Sequence, residues 1–424
     1  MADNDFWYRL DNAGKLYPSI TTTYLTTVFR LSVLLKEPVK IGRLKKALEN
    51  TIGRFPYYRV YLHKGFFWYY LEHTRDIPSI FPDTRYPCSK MPVKRKGTFL
   101  FRVKVYRNRI AVEYFHALTD GMGALNFIKA LAAEYINIAY GPFKEWGDIF
   151  RPGQTPDPEE AEDSFIKYHN VKAPPPLKEK RAFHIPYENL SSGIYNIITG
   201  IVPLGQLLKI SKGYNATIND FLMTVLFESY QDLYFRINEN KNTDTSPIKI
   251  MIPLNLRKIF GSKTMRNFSL FLIPGIDPRL GRYSFDEILN YVHHYVRLNA
   301  NARSVQPDMA RNVRGERNMI IRVLPLFLKN ILISGVYKAI GGKGVSSVLS
   351  NLGAVIMPDT IAPYIDRFDF ILPPEPTSKN SCSVVSFSDR VSISFGRTIA
   401  ETDIEKYFFN RLVRMGIPVK IETN

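Results

Sequence analysis

Cysteine is nearly missing from this sequence. Cys88 and Cys382 stand alone and far apart, and they match neither a metal-ligand spacing nor a redox pair. That excludes a disulfide scaffold and suits a reducing compartment. A long unbroken hydrophobic run is missing too. The most apolar stretch, Ile320 to Ile340, is interrupted by Arg322, Pro325, Lys329 and Lys338, so it predicts a buried or amphipathic helix and not a membrane span. The opening, Met1-Ala2-Asp3-Asn4-Asp5, lacks the apolar core of a signal peptide, and the expectation is a soluble, cytoplasmic chain. No His-Glu-x-x-His, no Walker loop and no Gly-x-Ser-x-Gly elbow occurs. His293-His294 are adjacent on a predicted helix and face different directions, so no metal site is expected there.

Acidic residues are the scarce charge. Lys and Arg number 57 against 39 Asp and Glu, a net charge of +18. Such an excess speaks to partners and not to fold. Nucleic acid, an anionic membrane surface, a phosphorylated small molecule and a generally solvated basic face all compete as readings. The charge concentrates from Ser89 to Arg109 and from Asn301 to Gly344. No nucleic-acid-binding motif accompanies it, so a nucleic-acid partner is not expected.

What is present is a chain of 424 residues, long enough for two lobes. A Pro-rich segment, 151–186, reads as a crossover linker between an N-terminal lobe (1–150) and a C-terminal lobe (187–424). It carries an acidic cluster from Glu159 to Asp163 and the run Pro174-Pro175-Pro176. In the first lobe Ile41, Leu44, Leu48 and Ile52 recur at helical spacing. Phe66 to Leu71 reads as an aromatic strand. Phe99, Phe101, Val103 and Val105 alternate with Arg102 and Lys104, the period of a half-buried strand. Arg107-Asn108-Arg109 turns the chain back into Ile110–Phe115. A helix follows, carrying Phe127, Ile128, Leu131 and Tyr135 on one face.

In the second lobe Thr217-x-x-Asp220, Ser284-x-x-Glu287 and Thr402-x-x-Glu405 read as helix starts. Ile248–Leu254, Phe268–Ile276, Val345–Leu352 and Phe368–Leu372 read as strands. Cys382–Phe387 and Val391–Phe395 form a hairpin around Ser388-Asp389-Arg390. The mixture predicts an α/β layered protein with mixed sheets in both lobes.

The strongest candidate site is His116-Ala117-Leu118-Thr119-Asp120-Gly121, placed where a strand ends and a helix begins. An imidazole there can accept and return a proton near neutral pH. Asp120 can pair with that ring, with a distant cation that fixes the loop, or cap the following helix. Gly121 and Gly123 permit a tight turn or a close approach.

This His-x-x-x-Asp-Gly loop after a strand resembles the signature of the chloramphenicol-acetyltransferase-like acyltransferases, which include plant BAHD enzymes and the condensation domains of peptide synthetases. The likeness spans nearly the whole chain. Arg9 to Pro18 is similar to the opening of bacterial alcohol-acetyltransferase-like members. Asn215 to Asp220, Ile252 to Arg257 and Ser350 to Gly353 resemble later family segments. The resemblance implies two similar lobes with a tunnel between them, and His116 midway as general base. Acyl-CoA would be the co-substrate, with no tightly bound cofactor and no metal. An alcohol or amine would be the acceptor, O-transfer being favoured.

It also implies that Asp120 is structural and pairs with Arg257. Ser350 and Asn351 are the candidate oxyanion donors. Lys258, Lys263, Arg266 and Lys343 are candidate contacts for the CoA phosphates. Two departures matter. Phe115 replaces the first histidine of the doubled pair common in condensation domains. Ser394-Phe395-Gly396-Arg397 stands near the place of the plant Asp-Phe-Gly-Trp-Gly motif. A membrane-associated enzyme with a lipid acceptor, in peripheral contact with an anionic surface, and a non-catalytic binding protein are the alternatives. Two lobes in one chain suggest a monomer or loose dimer.

Overall fold

The computed structural model describes residues 6–170, 181–239 and 246–424, so the Pro174–Pro176 run lies outside the described residues. Three sheets organise the chain. The first lobe holds a five-stranded sheet in the order Ile365–Ile371, Val28–Leu35, Arg109–Phe115, Phe101–Tyr106 and Ile80–Pro82. The second lobe holds an eight-stranded mixed sheet. Its path runs Ser269–Leu272, Ile248–Asn255, Ser347–Val355, Asn380–Phe387, Arg390–Arg397, Asn196–Pro203, Lys420–Thr423, and Gly275–Ile276 also pairs with Ile248–Asn255. A small antiparallel sheet of Trp7–Arg9, Tyr69–His73 and Val60–Lys64 flanks the first lobe. Each large sheet is covered by helices, Ile41–Arg54 and Gly121–Tyr140 on the first, Ile218–Asn238, Phe285–Asn299 and Asp403–Arg414 on the second.

The lobes do not divide at one point in the sequence. Ile365–Ile371, from the C-terminal half, pairs antiparallel with Val28–Leu35. Its Phe368 and Phe370 join the first lobe's core beside Phe29 and Val33. Glu160, in the segment expected to cross over, is tied to both lobes. Glu160 is buried and accepts from Arg54 Nη1 and Nη2 at 2.7 Å each and from the Tyr57 hydroxyl at 2.7 Å. Its backbone carbonyl accepts from Met265 N, at 2.7 Å, in the second lobe. One member of the acidic cluster is thus a bolt between lobes and not a solvated charge.

Local sequence signals translate unevenly. Ser284 and Glu287 form a reciprocal capping box, and Thr217 accepts from Asp220 N. Thr402 makes no side-chain cap. The Phe268–Ile276 strand is split into Ser269–Leu272 and Gly275–Ile276, because Pro274 has no N–H to give the ladder. Phe66 and Phe67 are not in a strand. They occupy the exposed turn between Val60–Lys64 and Tyr69–His73, closed by Gly65 N donating to Trp68 O at 3.0 Å. The polar face of Phe101–Tyr106 is not solvated either. Arg102 donates to the buried Glu113 at 2.6 Å, and Lys104 is buried beside it. Finally, Ile320–Ile340 becomes two helices, Met319–Val323 and Leu326–Ile340, broken at Pro325.

Candidate active site

Between the lobes lies a cavity of about 460 Å³. Its lining draws on both sheets and is mostly apolar, with Phe29, Met122, Phe271 and Phe370 among its walls. His116, Asp120, Arg257, Ser350 and Asn351 all line it. A larger cavity, about 750 Å³, opens at the surface against the small sheet. It is lined by Trp7, Trp68 and Tyr70, contains no histidine, and its Lys15 is already paired with Glu316 at 2.5 Å. The smaller cavity holds the titratable groups that could do chemistry.

His116 follows directly on the strand Arg109–Phe115, and its backbone N–H donates to Thr27 O at 2.9 Å. Its ring is stacked on Tyr17, with centroids 4.5 Å apart, and Phe29 packs at 5.0 Å. Nδ1 lies 3.0 Å from Asn267 Oδ1. The orientation of that amide follows from its other contacts. Asn267 Nδ2 donates to Asp11 Oδ2 at 3.1 Å and to the His116 carbonyl at 3.0 Å. Both partners are acceptors, so the nitrogen end must face them and the oxygen end must face the ring. An oxygen there requires the proton on Nδ1, which leaves Nε2 with its lone pair. Burial pushes the imidazole below its ordinary value, against the hydrogen bonds to its own backbone and Asn267 and the charge of Asp120. The ring is therefore a neutral acceptor at neutral pH.

Asp11 is fully enclosed and accepts from Gly14 N at 2.6 Å as well as from Asn267 N and Nδ2. Burial raises its carboxyl, while Arg266 and these donors oppose the rise. Asp11 and Asn267 escaped the reading of the sequence. Asp11 lies inside the recognised Arg9–Pro18 segment, but neither residue is near His116 in the chain, and no local pattern joins them.

Asp120 combines two roles that the sequence offered as alternatives. It is the N-cap of Gly121–Tyr140, accepting from Met122 N and Gly123 N at 3.2 Å each. It also receives Arg257 in a two-pronged pair, Nη1 to Oδ2 at 2.8 Å and Nη2 to Oδ1 at 2.9 Å. Phe268 N adds a fifth bond at 2.9 Å. Burial alone would raise this carboxyl, but Arg257 and the donors outweigh burial and hold it below the ordinary carboxylate value. Gly123 needs to be glycine for packing: a Cβ there would collide with Thr119 Oγ1 and the Met265 carbonyl. The close approach is to the protein itself.

Ser350 is buried on Ser347–Val355, and the Asn351 Oδ1 accepts from Gly353 N at 2.8 Å, leaving Nδ2 as its donor end. The four cations separate. Lys343 is exposed between Gly342 and Val345, which both line the cavity, and Lys258 is exposed next to Arg257. Lys263 is paired at the surface with Asp157 at 2.8 Å. Arg266 is no surface cation. It is buried under Tyr8, donates to the Arg9 carbonyl at 2.9 Å and faces Asp11 electrostatically, so a solvent-borne phosphate has no route to it.

No family model and no curated protein matches this sequence. Solved structures do. Polyketide synthase associated protein 5 from Mycobacterium tuberculosis superposes with a TM-score of 0.59 at 12% identity, covering 96% of this chain and 97% of that one. TRI101 of F. sporotrichioides, solved with coenzyme A and T-2, gives 0.62 at 10% identity over 98% and 99%. The first condensation domain of the CDA synthetase gives 0.57 at 12% over 96% and 95%. The chain has the chloramphenicol-acetyltransferase-like fold. In each case the likeness runs over nearly the whole length of both chains. Among the described residues no helix is long and apolar enough to cross a membrane.

Proposed function

We propose that this protein transfers an acyl group from an acyl-CoA thioester to an acceptor hydroxyl, with His116 as general base; an amine acceptor would use the same chemistry. The observation that carries the reading is the His116 imidazole in the inter-lobe cavity, with Nδ1 tied to Asn267 and Nε2 left as its acceptor. In this reading Nε2 takes the hydroxyl proton as the oxygen attacks the thioester carbonyl carbon. The tetrahedral oxyanion is met by donors from Ser350 and Asn351 Nδ2. The C–S bond then breaks, and the imidazolium returns its proton to the departing thiolate. Ester and free CoA thiol leave, and the enzyme is unchanged.

The Asp120–Arg257 pair holds the loop in this account, and Asp11 holds Asn267 against His116. Lys258 and Lys343 are the cations available to the CoA phosphates. The apolar walls favour an apolar acyl chain or acceptor. The test is release of CoA thiol from acetyl-CoA and longer acyl-CoAs against a panel of alcohols and amines, with the acylated product identified by mass. Release that depends on the acceptor is expected. No release, together with no calorimetric binding of any acyl-CoA, would overturn the assignment.

A further inference from the structure

The helix Leu326–Ile340 is built the wrong way round for water. Leu326 is buried at its start, but the inward positions that follow are largely polar. Lys329 Nζ donates to the Phe67 carbonyl at 2.8 Å and sits 3.6 Å over the Trp68 ring. Asn330 meets Ser19 at 2.7 Å and Tyr69 at 3.1 Å, Ser334 donates to Ser19 O at 2.6 Å, and Tyr337 donates to Glu375 at 2.9 Å. Large apolar side chains stand outward, with Lys338 exposed near the end of the helix. Phe327 is 57% exposed, Ile331 66%, Leu332 58% and Val336 57%. Four-residue spacings pair Phe327 with Ile331 and Leu332 with Val336, and the two pairs share the outward half of the helix. Val323, on the preceding short helix, and Phe66, in the turn 65–68, extend the surface. That turn is stitched to the helix by Leu326 N donating to Phe66 O at 2.8 Å. An apolar surface of this extent marks a place where something other than water belongs.

Charge identifies the occupant. From Arg317 to Pro358 the chain contains no acidic residue. Arg322, Lys338 and Lys343 are exposed around the helices, and Lys64 flanks the turn. A second copy packed on this face would bring cation against cation around an apolar centre. Anionic headgroups would neutralise the same ring while the hydrocarbon boundary received the apolar side chains.

We infer that the Leu326–Ile340 face, with Met319–Val323 and the Phe66–Phe67 turn, docks this protein on an anionic lipid bilayer. The contact is peripheral. The inner side of the same helix roofs the inter-lobe cavity through Tyr337, and its Ser19 contacts hold the Tyr17–Ile20 helix whose Tyr17 stacks on His116. Docking therefore sets the cavity beside the hydrocarbon, from which an apolar acceptor can be drawn. That last link rests on the acyl-transfer reading; the docking does not.

The test uses the full chain and vesicles of phosphatidylcholine, with and without phosphatidylserine. Cosedimentation with the phosphatidylserine vesicles is expected, weakened by salt. The double variant Ile331→Ser/Leu332→Ser is expected to bind on the order of tenfold or more weakly, since hydrocarbon contact contributes alongside charge. Amide exchange of the wild type gives a readout that needs no variant: vesicles should slow exchange in 319–340 and 65–68. No binding at low salt, binding that the double variant retains in full, or slowing confined to other segments would each overturn the assignment. So would a wild-type dimer in solution that the double variant abolishes. None of these depends on catalytic activity, so failure here is separable from failure of the transferase reading.

Discussion

At 116–120 the chain buries polar groups and gives them partners; at 327–337 it turns polar groups inward and sends large apolar ones to the surface. Asp120 has five protein donors around its two oxygens, whereas Phe327, Ile331 and Leu332 stand in solvent. The first segment is explained from within the molecule. Its burial is compensated, so its geometry is fixed before any ligand arrives. The second is not explained from within. Its compensation has to come from outside, and the charge around it says from what.

Substitutions should therefore behave oppositely in the two segments. The largest effect is expected from His116→Ala, which removes the acceptor nitrogen. Acceptor-dependent thiol release should fall by about 10²–10⁴-fold, while calorimetric acyl-CoA affinity changes little. Arg257→Ala comes next. It strands a buried carboxylate and should cost about 3–5 kcal/mol in denaturant unfolding.

Asp120→Asn sharpens the same point through pH. The folded carboxyl lies below its unfolded value, so its contribution is fully present above about pH 4 and is lost as pH falls through the folded value. The asparagine variant should lose that part of the acid sensitivity, read as unfolding free energy against pH. A smaller effect is expected from Asn267→Ala. The imidazole would lose the partner that sets its tautomer, so kcat should fall less than in His116→Ala with KM nearly unchanged. The smallest belongs to the other segment: Ile331→Ser/Leu332→Ser should leave unfolding in solution within about 0.5 kcal/mol of wild type. A large destabilisation there would mean that the face is covered by the protein itself, and the contrast would collapse.

Much of the fold could be read from the sequence because its signals are local. The hairpin at Ser388–Arg390 is found as Asn380–Phe387 paired with Arg390–Arg397. The capping box at Ser284 reports a helix start directly. The resemblance of four separated segments supplied the two-lobed arrangement, which local periodicity cannot give. The rest depends on contacts across the chain. Asn267 touches His116 across 151 positions and Asp11 across 256, and an asparagine before a strand carries no mark of either. Charge and a place near the Ile252–Arg257 segment make Arg266 a candidate phosphate contact in the sequence, but Asp11 and Tyr8 hold it inside. The aromatic run Phe66 to Leu71 reads as one strand, but the strand begins only at Tyr69. Gly65 turns the chain just before Phe66 and Phe67, and their exposure belongs to a surface that composition alone does not reveal.

The most direct test of the central claim is the pH profile of acceptor-dependent thiol release, wild type beside His116→Ala. A base must be unprotonated to act, and burial lowers the His116 value. The wild-type rate should rise with pH through a single limb centred below about 6.5 and then hold level. The variant should lack both the rate and the limb. A variant that releases thiol at the wild-type rate, or that keeps the same limb, would contradict the assignment of His116 as the base.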